Sequence, residues 1–262
     1  VEPWYGSVAT TARTLWRFQG VKITVTGAHN IPASGGAVVA INHTGYLDFA
    51  FAGLAAYDNK PRRRVRFMAK KETFDNRFTG PIMRGCRHIP VDRGQGADAY
   101  ASAVDYLRAG ELVGVYPEAT ISRSFELKEF KSGAARMALE AQVPIIPHIV
   151  WGAQRVWTKD HPRRLGRSKV PISVAVGEPI PPTLSVEDLR DLLQTRMQHL
   201  LEQTQDAYPE HPAGEFWVPH RLGGGAPTPA EALRLDAEEA ARKAEARAAR
   251  HPQPPTATGA AE

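Results

Sequence analysis

The chain has one cysteine, Cys86, in 262 residues. A lone thiol excludes an intramolecular disulfide and any zinc site built from several cysteines, and it fits a reducing compartment. Long apolar runs are missing too. Although 42% of the chain is hydrophobic, no stretch approaches the roughly 18 apolar residues that a spanning helix needs. The opening residues do not follow the basic, apolar, small-residue order of a secretory leader. The first residue is Val1, so a trimmed segment ahead of it stays open. His, Cys, Asp and Glu nowhere cluster at metal-ligand spacing, and no metal is expected. No internal repeat is present. Helix-turn-helix, zinc-finger and RNP-like patterns are absent as well, so nucleic acid is not an expected partner despite the basic balance.

That balance is 33 Lys and Arg against 28 Asp and Glu, a formal charge of +5. It favours anionic partners, of which phosphorylated small molecules and anionic membrane lipid remain. Residues 1–19 carry Trp4, Tyr5, Val8, Leu15, Trp16 and Phe18 near helical spacing, with Arg13 and Arg17 between them. The segment fits a helix lying in a lipid headgroup layer and equally a helix packed on the core. Short apolar stretches then alternate with helical ones. Strands are expected at 21–26, 37–41, 65–69, 89–91, 112–116, 143–150 and 172–176, and helices after Asp48 and over 97–109 and 133–141. Another helix follows the capping box of Ser185 and Asp188. Gly110 supplies a left-handed stop, while 70–93, broken by Gly80-Pro81 and Gly85, carries no helix assignment. Arg62, Arg63, Arg64 and Arg66 read as a solvated edge or as a contact for lipid phosphates. This alternation predicts an α/β fold, a single layered domain with a largely parallel mixed sheet flanked by helices, over residues 20–208. Residues 209–262 form an extension: a Gly223-Gly224-Gly225 break, an Ala/Glu/Arg helix capped by Thr228 and Glu231, and a Pro/Ala/Thr-rich end expected to be disordered.

Chemistry concentrates where the 37–41 strand gives way to a helix, at Asn42-His43-Thr44-Gly45-Tyr46-Leu47-Asp48. Three polar groups, Asn42, His43 and Asp48, sit there between apolar walls, and burying them unpaired would cost several kcal/mol by order of magnitude. Five positions on a continuous helix differ by about 140°, so His43 and Asp48 meet only across a turn. A histidine held by a carboxylate is a general-base arrangement. A satisfied buried histidine beside a helix-capping aspartate has the same signature.

Three further stretches stand out: Gly85 to Arg93 and Tyr116-Pro117-Glu118-Ala119-Thr120-Ile121-Ser122, which bring polar residues into the apolar frame, and the apolar Val143-Pro144-Ile145-Ile146-Pro147. With the first block they resemble the glycerolipid acyltransferase family, which includes lysophosphatidic acid acyltransferases. Its blocks are Asn-His-x4-Asp, a Gly-containing stretch ending in Arg, Phe-Pro-Glu-Gly-Thr-Arg-Ser, and Val-Pro-Ile-x-Pro. The resemblance covers about residues 20 to 180.

The resemblance implies transfer of a fatty acyl group from a thioester of coenzyme A or acyl carrier protein to a lysophospholipid hydroxyl, 1-acylglycerol-3-phosphate first. No cofactor is needed beyond that co-substrate. His43 becomes the base and Asp48 its orienting acid. The substrate-binding set is Asn42, Arg93, Glu118, Thr120, Arg123 and Lys131, with Arg93 the first candidate for the acceptor phosphate. The enzyme is expected at the cytoplasmic face of the membrane, held peripherally on an anionic surface. Two departures bear on the acceptor. Ala119 replaces the third block's Gly, implying a backbone that has no need of positive φ there. Ile121 replaces its Arg, leaving Arg123 or Lys131 to take over. Another lysophospholipid or glycolipid acceptor, or a catalytically lapsed anionic-lipid-binding protein, are the alternatives. Oligomeric state is not legible.

Overall fold

Ala37, Val39 and Ile41 point to one side of strand β2 (Ala37–Ile41) and Val38 and Ala40 to the other, and all five are buried. A run of small and β-branched residues with no polar face suits the middle of a parallel sheet covered on both sides. In the computed structural model, which describes residues 2–92 and 96–250, β2 is the centre of such a sheet. The other strands are β1 (Lys22–Thr26), β3 (Val65–Lys70), β4 (Ile89–Val91), β5 (Leu112–Val115), β6 (Ile145–Trp151) and β7 (Pro171–Val176). Their order is β1-β7-β6-β2-β5-β3-β4. Neighbours run parallel except β6 and β7, which are antiparallel. The molecule is thus an α/β domain with a mostly parallel, mixed seven-stranded sheet, as the alternation predicted.

Helices α1 (Pro3–Gln19) and α2 (Asp48–Asp58) cover one face, where Trp16 stacks on Phe51 at 4.2 Å. The other face is covered by α5 (Gly96–Arg108), α6 (Gly133–Ala141) and α7 (Val186–Asp206). Leu189, Leu193, Met197 and Leu201 of α7 form its buried stripe at helical spacing. Ser185 caps α7 through the Asp188 amide at 3.1 Å, and Gly110 ends α5's turn at φ +85. The punctuated 70–92 stretch folds into two short helices, α3 (Lys71–Asp75) and α4 (Thr79–Gly85). Pro81 is tolerated because it sits in the first turn of α4, where its missing N–H has no partner to lose.

Two arginines of the basic run, Arg63 and Arg66, are spent on partners within the molecule, while Arg62 stays exposed. Arg66 is fully buried and donates to Glu2, Glu111 and the Cys86 carbonyl. Arg63 donates to the carbonyls of Pro32, Gly35 and Gly110. After α7, Trp217 and Val218 join the core, and α8 (Pro229–Arg250) lies with Asp236 and Glu239 against the loop that follows β5. Among the described residues no helix is long and apolar enough to cross a membrane.

Candidate active site

Four residues of loop, Thr44 to Leu47, bring His43 back over Asp48, the first residue of α2. His43 Nδ1 lies 3.2 Å from Asp48 Oδ2. The same oxygen accepts the Thr44 and Gly45 amides, each at 2.8 Å. One carboxylate oxygen therefore closes the turn and aims the ring. Asp48 is completely buried. Burial raises its pKa above the ordinary carboxylate value, opposed by the His43 contact and the two amides. The turn has no room to relax. A Cβ on Gly45 would come within 2.8 Å of the Trp157 carbonyl, and that carbonyl accepts the Tyr46 amide.

On its open side the His43 ring stacks on Tyr116 with centroids 3.9 Å apart. Register explains the meeting: β2 and β5 are neighbours with Ala40 opposite Val115, so Tyr116 leaves its strand beside the His43 turn. Only motif matching had drawn attention to Tyr116. The adjacency of these two strands was the missing signal. Asp48 and His43 can do what a base and its orienting acid do, since Nδ1–H donated to Asp48 leaves Nε2 unprotonated.

Asn42 is fully buried and faces the sheet. Its amide donates to the Val150 carbonyl at 3.1 Å and accepts the Val150 N–H at 2.7 Å. Glu118 is buried at the end of β5, with Oε1 on the His43 amide at 2.8 Å and Oε2 on the Lys128 amide at 3.0 Å. Burial pushes it up to about 8, against those two N–H groups. Thr120 is exposed and accepts Lys128 Nζ at 2.6 Å. Lys131 is exposed. Arg123 is 8% exposed, its guanidinium bonded to Asp160, Asp236 and Glu239. Lys128 and Lys159 share Asp236 with it. Arg93 lies outside the described residues.

Ala119 departs from expectation. Its φ is +62, so the third block keeps its left-handed backbone without the glycine. The sharp turn carries Glu118 back to the His43 amide, and here an alanine holds the left-handed corner.

An apolar cavity of about 60 Å³ lies between α1 and α2, lined by Val8, Ala12, Phe49, Leu54 and Phe67 among others. Phe49, the residue after Asp48, is part of that lining, whereas His43 and Asp48 are not. Among the described residues no group of three or more His, Cys, Asp or Glu could hold a metal.

The mostly parallel α/β sheet thus ends in a histidine held by an aspartate at a helix start. The chain belongs to the acyltransferase family, whose family model, described as "Acyltransferase", matches residues 22–151. It is similar to the 1-acyl-sn-glycerol-3-phosphate acyltransferase of Bacillus subtilis, at 33% identity over 129 residues, covering 49% of this chain and 61% of that protein. An uncharacterized protein of Mycobacterium leprae is 28% identical over 52% of this chain and 38% of its own length. The chain thus matches less than two thirds of either relative. In fold it is similar to the crystal structure of the 1-acyl-sn-glycerophosphate acyltransferase PlsC of Thermotoga maritima, with a TM-score of 0.61, 20% identity, and 76% and 81% of the two chains covered.

Proposed function

We propose that this acyltransferase moves a fatty acyl group from a thioester of coenzyme A or acyl carrier protein to the free hydroxyl of a lysophospholipid, 1-acylglycerol-3-phosphate before others. The observation that carries the reading is the contact of His43 Nδ1 with Asp48 Oδ2 at 3.2 Å. Relatives named 1-acyl-sn-glycerol-3-phosphate acyltransferase support the acceptor.

In this mechanism His43 Nε2 takes the proton of the acceptor hydroxyl as its oxygen attacks the thioester carbonyl. Asp48 stabilises the imidazolium that forms. The tetrahedral oxyanion collapses, the carbon–sulfur bond breaks, and the imidazolium returns its proton to the departing thiolate. Acyl transfer is direct. Thr44, the nearest hydroxyl to His43 in sequence, has its backbone bound by Asp48 and by Thr158. Tyr116 covers one face of the imidazole and limits its rotation. Glu118 fixes the His43 backbone, and Asn42 fixes the strand end from which it departs.

The cavity between α1 and α2 is assigned to a short part of the acyl chain, since its volume of about 60 Å³ takes only a few methylenes; its lining is apolar apart from Tyr5, Cys86 and His88. The acceptor phosphate is assigned to the cationic side of the site, with Arg93 first and Arg123 and Lys131 behind it. Arg123 reaches a phosphate only by exchanging one of its three carboxylates for it. We place the protein at the cytoplasmic face of the membrane, held peripherally through α1. Mass spectrometry of products from a mixed panel of lysolipids and acyl thioesters tests the reading. Phosphatidic acid from lysophosphatidate, lost in His43→Ala with the fold retained, is the expected result. No acyl product from any pair, or turnover unchanged by that substitution, overturns it.

A further inference from the structure

Helix α1 has two apolar sides. Tyr5, Ala9 and Trp16 face the core, whereas Trp4, Leu15 and Phe18 fall within about 60° of one another on a different side, counting 100° per residue. Those three are 51%, 50% and 79% exposed. The C-terminal end of the helix is bound to a second element. Gln19, itself 2% exposed, donates through Nε2 to the Leu165 carbonyl at 2.6 Å, and its own carbonyl accepts the Lys169 amide at 3.1 Å. These bonds hold the loop 163–169 next to Phe18.

That loop is Arg163-Arg164-Leu165-Gly166-Arg167-Ser168-Lys169. Leu165 is half exposed and the four cations are exposed. None of the four forms an ion pair with a described residue, in contrast to Arg66 and Arg123, which are saturated by carboxylates. Arg163 is held over the Trp157 ring at 4.0 Å and Arg164 over Phe216 at 5.3 Å. Through Trp157 the loop also reaches the catalytic turn, because the Trp157 carbonyl accepts the Tyr46 amide at 3.0 Å. The loop therefore spans from the exposed apolar stripe of α1 to the residues around His43.

We infer that the loop 163–169 and the outer stripe of α1 form one surface for an anionic lipid bilayer. In it Leu15, Phe18 and Leu165 enter the acyl boundary, and Arg163, Arg164, Arg167 and Lys169 hold the headgroup phosphates. Apolar side chains flanking unpaired cations fit a membrane better than an acidic protein, whose docking face would leave Phe18 in water. The placement also serves the transfer reaction, since a lipid drawn to this surface arrives beside both the catalytic turn and the cavity under α1. The inference rests on the lysolipid reading for its purpose but not for its test.

Flotation of the full chain with phosphatidylcholine vesicles, with and without phosphatidylglycerol, provides that test. The expected result is strong flotation with the anionic vesicles and weak flotation with the zwitterionic ones. In the variant Arg163→Gln, Arg164→Gln, Arg167→Gln, Lys169→Gln, partitioning onto anionic vesicles falls by roughly 600-fold, at about one factor of five per cation. Its turnover on detergent-dispersed substrate is unchanged. Leu15→Ser with Phe18→Ser weakens binding to both vesicle types. Inorganic phosphate added at the same ionic strength as chloride competes no better than chloride, because the surface recognises an array of headgroups and not one free anion. Flotation of the four-cation variant equal to wild type overturns the inference, as does wild type that floats with neither vesicle. So does normal flotation together with a raised KM for an acyl carrier protein donor, which would make the loop a protein-docking site. A chain that floats as expected yet acylates no lysolipid keeps this surface and loses the catalytic reading.

Discussion

At the scale of single residues, Asp48 Oδ2 does most to shape the site. It gathers the Thr44 and Gly45 amides and His43 Nδ1, so it builds the turn and sets the tautomer together. In Asp48→Asn a carbonyl oxygen can keep the two amides, but the negative charge that stabilises the imidazolium is gone. Turnover should fall by on the order of 10³–10⁴-fold with little change in fold, measured as kcat beside a circular dichroism spectrum. A kcat within a few fold of wild type would remove the acid from the mechanism. Ala119 offers a stability prediction. A non-glycine residue in the left-handed region costs roughly 1–2 kcal/mol, and glycine there gives back about 0.4–1 kcal/mol through the freer unfolded chain. Ala119→Gly should therefore stabilise the protein by about 0.5–1 kcal/mol, read from urea melts.

At the scale of elements, much was legible and the reasons are local. The strand Ala37–Ile41 and the helix Gly133–Ala141 have the expected limits, because a buried β-branched run and a helical apolar stripe leave little choice. Ser185 and Thr228 cap their helices as the four-residue pattern requires. Pro147 misled less than it could have. It lies within β6, paired with Ala40 of β2, and its ring nitrogen faces the side where β7 has already ended at Val176. What stayed illegible depends on distant partners. Nothing near Arg123 in the chain announces Asp236 or Glu239 of α8, more than a hundred positions on. Nor does the local pattern at Asn42 reveal Val150. The α8 contact carries a prediction. Asp236→Asn with Glu239→Gln strips Arg123, Lys128 and Lys159 of shared counter-charge, leaving Asp160 alone on a nearly buried guanidinium. The loss should be about 3 kcal/mol. Breaking the exposed Arg234–Glu238 pair on the same helix should cost about 0.5 kcal/mol or less. Equal costs in thermal melts would mean that α8 is not clamped by this cluster.

At the scale of the whole molecule, buried titratable groups set the pH response. Burial lowers His88 and His148 to about 4, and it lowers His161 and His211 as well. Their unfolded counterparts titrate near 6.5. Below that value the unfolded chain takes up protons that the fold refuses, so this contribution is complete above pH 6.5 and is lost as pH falls toward 4. Glu118 works in the opposite sense. Burial raises it to about 8, and its contribution, full below its ordinary value near 4.5, is lost as pH climbs to 8; Asp48 shifts in the same direction. Four imidazoles outweigh two carboxyls where the windows overlap. Stability should rise to about pH 6.5 and decline gently beyond it, as urea midpoints across this range would record. A flat limb from 6.5 to 8 would mean that Glu118 is ionised throughout, held by the His43 and Lys128 amides. The Asn42 side chain, finally, imitates a peptide unit and supplies one extra rung between β2 and β6. A rung made by a side-chain amide is open to chemical ageing in a way that a main-chain rung is not. Deamidation at this position would set a carboxylate against the Val150 carbonyl, so that one of the rung's two bonds turns repulsive while the Val150 N–H keeps its acceptor.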